Sequence, residues 1–143
     1  MIEKKTNSAE ETKEFGRSLA ERLNPGSVLA LIGPLGSGKT VLAQGICSGL
    51  QVEAPVTSPT FVIINEYPGK LDQSPIWVYH FDLYRLENPE EFAKLGYEEY
   101  FYGRGITIIE WAEKVTAFLP KKRWEVNLKI LSETEREIRA EEL

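Results

Sequence analysis

The chain has 143 residues, of which 42% are hydrophobic and 27% charged, and a formal net charge of −5. Those figures suit one domain of ordinary size, residues 1–143, and exclude one that grips nucleic acid by bulk positive charge. A single cysteine, Cys47, excludes an internal disulfide and fits a reducing compartment, and the absence of a long apolar run argues against a signal peptide or a membrane span, so the expected location is cytoplasmic.

Ser8-Ala9-Glu10-Glu11 reads as a capping box, with Ser8 as N-cap and Glu11 three residues later. Phe15, Leu19 and Leu23 follow at helical spacing until Asn24-Pro25-Gly26 ends the helix. Val28 to Ile32 is an unbroken apolar segment, as expected of a strand buried on both faces. Gly33-Pro34-Leu35-Gly36-Ser37-Gly38-Lys39-Thr40 then matches the phosphate-binding loop G-x-x-x-x-G-K-[ST]. Val41, Leu42, Gly45, Ile46 and Leu50 recur behind it at helical spacing, with Cys47 as a small core filler.

Strand, glycine loop and helix is the order that nucleotide chemistry needs. Glycines let the backbone N–H groups of Leu35 to Thr40 curl round phosphate oxygens, and the helix N-terminus adds partial positive charge. Lys39 can reach the β- and γ-phosphates and the Thr40 hydroxyl can ligate Mg²⁺. No guanine-reading N-K-x-D pattern is present, which favours ATP.

Gln51 to Pro59 is a polar, proline-marked loop, and Thr60 follows it either as the first residue of a strand or as a sensor of the γ-phosphate. Phe61 to Tyr67 reads as a strand, Pro68 to Pro75 as a loop, and Ile76 to Phe81 as a second strand ending at Asp82, together an antiparallel hairpin. His80, the only histidine, shares a strand face with Asp82; by default such a residue belongs to the core. Asn88-Pro89-Glu90-Glu91 starts a helix, and Gly96 divides it from a second short one over Tyr97 to Phe101. Ile106 to Ile109 is a short buried strand ending at Glu110. Trp111 either packs in the core or covers a nucleotide, and the stretch to Phe118 is helical or irregular. Trp124 to Ile130 alternates as a half-exposed strand, Ser132 to Glu135 turns, and Arg136 to Glu141 returns beside it.

The fold class expected from this order is α/β: a P-loop NTPase fold with a mostly parallel central sheet, antiparallel additions and helices on both faces. Such a site needs a carboxylate for Mg²⁺ or its water at the end of an apolar strand, and Asp82 and Glu110 both qualify.

Four segments in order, the phosphate loop, Ser58-Pro59-Thr60-Phe61, His80-Phe81-Asp82-Leu83-Tyr84-Arg85 and Glu110-Trp111, resemble the signature of the TsaE (YjeE) family over nearly the whole chain. The family usually carries Asp where Pro34 stands and a second Thr where Val41 stands. The resemblance implies an ATPase required for threonylcarbamoylation of adenosine 37 (t6A) in tRNAs reading codons that start with A. It would act with the TsaD and TsaB proteins and meet tRNA only indirectly. By the same resemblance Thr40 and Glu110 bind Mg²⁺, Asp82 acts at the metal or on the attacking water, and Thr60 and His80 line the γ-phosphate side. Base and ribose contacts are implied around Ser8, Ala9 and Glu11 and around Thr134 and Arg136, with Trp111 beside the nucleotide. No arginine is evident opposite the loop, so hydrolysis is expected to be slow alone and stimulated by partners. A nucleotide-switched binding module is an alternative; a small-molecule kinase would need mobile arginines, for which Arg136 and Arg139 are the candidates.

Overall fold

The computed structural model describes residues 1–59 and 63–143. Its strands form one sheet in the order β1-β7-β6-β2-β5-β4-β3. The four central strands β6 (Trp124–Ile130), β2 (Val28–Ile32), β5 (Ile106–Glu110) and β4 (Ser74–Asp82) run parallel. β7 (Arg136–Glu142) pairs antiparallel with β6, β1 (Ile2–Thr6) with β7, and β3 (Ile64–Leu71) with β4. The parallel centre with antiparallel additions is the architecture expected.

Strand β2 shows why both faces carry helices. Its residues point alternately up and down, so Leu29 and Leu31 enter one core while Val28 and Ala30 enter the other. The first core lies under α1 (Ala9–Ala20) and α2 (Lys39–Gly49) and is mainly aliphatic. Ser8 caps α1 by accepting the Glu11 N–H at 3.1 Å, while Glu11 Oε1 accepts the Asn7 N–H at 3.0 Å, one residue earlier than the standard box. The two helices meet backbone to backbone: a Cβ on Gly45 would lie 2.1 Å from the Lys13 carbonyl, and one on Gly16 2.7 Å from the Leu42 carbonyl. No side chain fits at either position.

The second core is aromatic. Phe81 of β4 packs among Phe92 of α3 (Pro89–Ala93) and Phe101 of α4 (Tyr97–Phe101), with ring centroids 5.9 and 6.2 Å away. Asn88 Oδ1 caps α3 by accepting the Glu90 N–H, Pro89 occupies its first position, and Gly96, at φ 71°, parts the two helices where the sequence predicts. Burying a ring such as Phe92 contributes about 1.5–3 kcal/mol. A 3₁₀ segment, Ala112–Phe118, closes this face, kinked at Val115.

One expectation needs correction. Pro68 and Gly69 do not open a loop: β3 continues to Leu71 and the turn is Asp72-Gln73, both at positive φ. The proline is tolerated because β3 is an edge strand. Lys70, on the same outer side as Pro68, gives its N–H to the Leu50 carbonyl outside the ladder, so Pro68 removes no ladder bond. Strand β1 was not foreseen, since Ile-Glu-Lys-Lys-Thr shows a single apolar residue and no alternation. The start of the Phe61 strand lies outside the described residues.

Candidate functional site

Three chain segments converge at the carboxyl edge of the parallel strands. β2 runs into the glycine loop, and Glu110 at the end of β5 stands in register with both Leu31 of β2 and Asp82 of β4. The loop owes its shape to its glycines. A Cβ on Gly33 would lie 2.7 Å from both the Leu128 carbonyl and Ser37 Oγ, while Gly36 and Gly38 adopt φ of 80° and 101°. Gly38 leads straight into α2, whose N-terminus has no side-chain cap among the described residues and no acid in its first turn. The unpaired N–H groups there and the helix dipole suit an anion.

Lys39 is folded back over the loop. Its Nζ donates to the carbonyls of Gly33 at 2.5 Å and Pro34 at 3.0 Å and lies 3.9 Å from the centre of the Trp111 ring. Burial pulls its pKa below the ordinary lysine value, opposed by the charges of Glu113, Glu110 and Asp82. Pro34 lacks an N–H, but its carbonyl accepts both the lysine and the Ser37 N–H at 3.1 Å. Trp111 holds φ at 62°, a left-handed conformation that costs a bulky residue about 1–3 kcal/mol. That turn is what brings its ring over Lys39 at the end of β5.

Thr40 Oγ1 donates to Glu110 Oε1 at 2.8 Å, and the other carboxylate oxygen of Glu110 lies 2.6 Å from His80 Nε2. Glu110 is 2% exposed and His80 wholly buried. Asp82 is held differently, by the Ser58 hydroxyl on Oδ2 and the Tyr84 N–H on Oδ1 at 3.0 Å. Among the described residues no three His, Cys, Asp or Glu side chains cluster as a metal cage. Thr40 with one or both acids nevertheless fits Mg²⁺, which takes few protein ligands and completes its shell with water and phosphate oxygens.

Leu35, Gly36, Gly38, Lys39, Thr40, Val41, Asp82, Glu110 and Trp111 line one cleft of about 510 Å³ with Ser58, Tyr84 and Arg85. Gly36, Gly38 and Val41 also line an adjoining cavity of about 360 Å³, walled by Ser8 and Ala9 at the head of α1 and by Thr134 and Arg136 at the β6–β7 turn. Arg136 bridges turn and loop, donating to the Gly36 carbonyl at 3.0 Å and the Ser132 carbonyl at 2.9 Å.

Some expected residues are placed elsewhere. Glu11 does not line the second cavity, because its carboxylate caps Asn7. His80 does not line the cleft either; it sits behind Glu110. Ser37 lines neither cavity with its side chain, whose Oγ is buried in the loop. Thr60 lies outside the described residues. Arg139 pairs with Glu3 on β1 at 3.0 Å, away from the loop. Ser58, Tyr84 and Arg85 stand in the quoted motifs without an assigned role, and the structure places all three on the cleft wall. Their only signal was proximity in sequence to Thr60 and Asp82.

Comparison with known proteins points to one family. The family model described as "Threonylcarbamoyl adenosine biosynthesis protein TsaE" matches residues 6–138. The chain is 38% identical over 133 residues to the tRNA threonylcarbamoyladenosine biosynthesis protein TsaE of Treponema pallidum, covering 93% of this chain and 95% of the relative. It is 40% identical over 134 residues to the Bacillus subtilis protein of the same name, covering 94% and 81%. The crystal structure of Bacillus subtilis YdiB superposes with a TM-score of 0.80 at 36% identity, over 96% of this chain and 82% of that one.

Proposed function

The chain belongs to the TsaE family, and on that premise we propose that it is a P-loop Mg-ATPase of the cytoplasm, required for threonylcarbamoylation of adenosine 37 in tRNA and acting with TsaD and TsaB. No helix is long and apolar enough to cross a membrane among the described residues. The observation that carries the reading is the facing pair at the cleft: the uncapped head of α2 with Lys39 and Thr40 on one side, Glu110 and Asp82 on adjacent parallel strands on the other.

Each group has a task. Lys39 exchanges the Gly33 and Pro34 carbonyls for β- and γ-phosphate oxygens, its charge kept by the three acids that face it. Thr40 and Glu110 would hold Mg²⁺, and Asp82 would act at the metal or orient the attacking water. When bound, the ion offsets the negative charge of the phosphoryl oxygens. The neighbouring cavity takes ribose and base between Ser8 and Ala9 on one wall and Thr134 on the other, while Arg136 closes the loop's outer side. Trp111 screens the lysine from water. Arg85 lines the cleft and Arg136 is engaged by the Gly36 and Ser132 carbonyls; an arginine supplied by a partner would balance the transition-state charge, so slow hydrolysis alone and stimulation by TsaB–TsaD are expected.

A second reading is favoured by the bond between Ser58 and Asp82, which ties the segment before Thr60 to a cleft acid. Nucleotide binding would break that tie and change affinity for a partner, with hydrolysis as the reset.

The test has two arms. Lys39→Ala should abolish ATP binding in calorimetric titration while the melting curve stays close to wild type. Phosphate release should rise when TsaB and TsaD are added, and reconstituted tRNA should gain t6A only with this chain present. Unchanged ATP affinity in the variant would remove the loop as the nucleotide site; fast release indifferent to partners would remove the partnership.

A further inference from the structure

We propose that His80 is a positioning residue for Glu110: it fixes one carboxylate oxygen so that the other is kept for Thr40 and the metal position. This rests on the reading of the cleft as a Mg-nucleotide site.

His80 is wholly buried on β4, and its one polar contact among the described residues runs from Nε2 to Glu110 Oε2 at 2.6 Å; Nδ1 has none. An ionised carboxylate only accepts hydrogen bonds, so Nε2 carries the proton. Thr40 Oγ1 takes the remaining oxygen, Oε1. The carboxylate is thus tied at both ends and points one oxygen at the head of α2.

A core that needed only volume would be filled as well by Leu or Phe, because an apolar residue avoids burying a polar one with a single partner. The ring's contact goes instead to the acid that faces the loop. Asp82, by contrast, is held by a serine from the neighbouring loop and by a backbone N–H. Glu110 is therefore the acid whose direction is set from inside the fold. Partners behind metal ligands commonly govern affinity or activity by about 10–100-fold.

The experiment uses His80→Leu, His80→Asn and His80→Gln. Glutamine brings an amide N–H near the Nε2 position, whereas asparagine falls short of it. Mn²⁺ binding to the protein with a non-hydrolysable ATP analogue is followed by electron paramagnetic resonance. ATP binding with metal chelated, kcat, KM and melting are measured alongside.

H80L should weaken Mn²⁺ binding and lower kcat by about 10–100-fold, with metal-free ATP binding and KM little changed. H80Q should recover most of that loss and H80N should not. In a Glu110→Gln background, H80L should add nothing further. Wild-type Mn²⁺ affinity in H80L, or equal losses in H80Q and H80N, would overturn the proposal and leave His80 a core residue. If H80L does not fold, the contrast between H80Q and H80N decides alone. Lys39→Ala that still binds ATP would instead overturn the underlying site reading, so the two failures are distinguishable.

Discussion

The two faces of the sheet are packed by different means. Under α1 and α2 the filling is mainly aliphatic, and the helices touch through Gly16 and Gly45 with no side chain between them. On the other face, rings of Phe81, Phe92, Phe101, Tyr97 and Phe118 fill the space beneath helices of five residues each. The phosphate loop hangs from the first face, while Leu83, Leu86 and the segment after Trp111 anchor the cleft's far wall in the second. A helix pair locked by backbone contact has one arrangement. Short helices over rings carry few internal hydrogen bonds and open at a lower free-energy cost. The cleft therefore lies on a seam between a stiff donor wall and a softer wall.

The contrast can be broken most severely at Gly45. Gly45→Val places its Cβ against the Lys13 carbonyl and forces the helices apart, so a loss of more than about 4 kcal/mol is expected in denaturant unfolding. Wild-type stability would show that backbone contact is not what closes this face. Phe92→Ala attacks the other face. It should cost about 3–5 kcal/mol, with the loss confined to the ring-filled side: hydrogen exchange should rise in α3 and α4 and stay low in α2. A uniform rise would merge the two faces into one cooperative unit.

The smallest effect concerns Cys47, wholly buried on the inner face of α2. Burial pushes its thiol up to about 12. The folded state keeps the proton that the unfolded state loses near the usual thiol value of about 8.5. The stability this contributes is complete below that value and is lost as pH rises toward about 12. At pH 8 the native protein should therefore resist thiol alkylation, while the denatured chain reacts quickly. Rapid labelling of native protein would show that the α2 face opens readily.

Elements whose signals are local were legible in the sequence. The Ser8 and Asn88 caps, the glycine loop, the apolar β2 and β5 strands and the break at Gly96 each depend on neighbouring residues. What escaped depends on position in the finished sheet. Pro68 reads as a loop until β3 is known to lie at an edge, and β1 is a strand only because β7 offers it a ladder. The site divides in the same way. Lys39 and Thr40 were legible as candidates from the loop motif, and Asp82 and Glu110 from their places at strand ends. The core placement that is the default for a lone histidine on an apolar strand holds for His80, while its contact with Glu110, the capping role of Glu11 and the wall residues Tyr84 and Arg85 follow from side-chain packing, which no spacing encodes.

The sheet's outer strands bear on how this molecule meets others. On β3, Pro68 offers no donor and the Lys70 N–H is already taken by Leu50; at the opposite margin, β1 is five residues long and carries Glu3, Lys4 and Lys5. Both rims carry features that disfavour the addition of a foreign strand. The sheet is finished along its width, and it is guarded against growing into a fibre. Contact through side chains, where the identity of the neighbour can be read, is thereby favoured over pairing of strands.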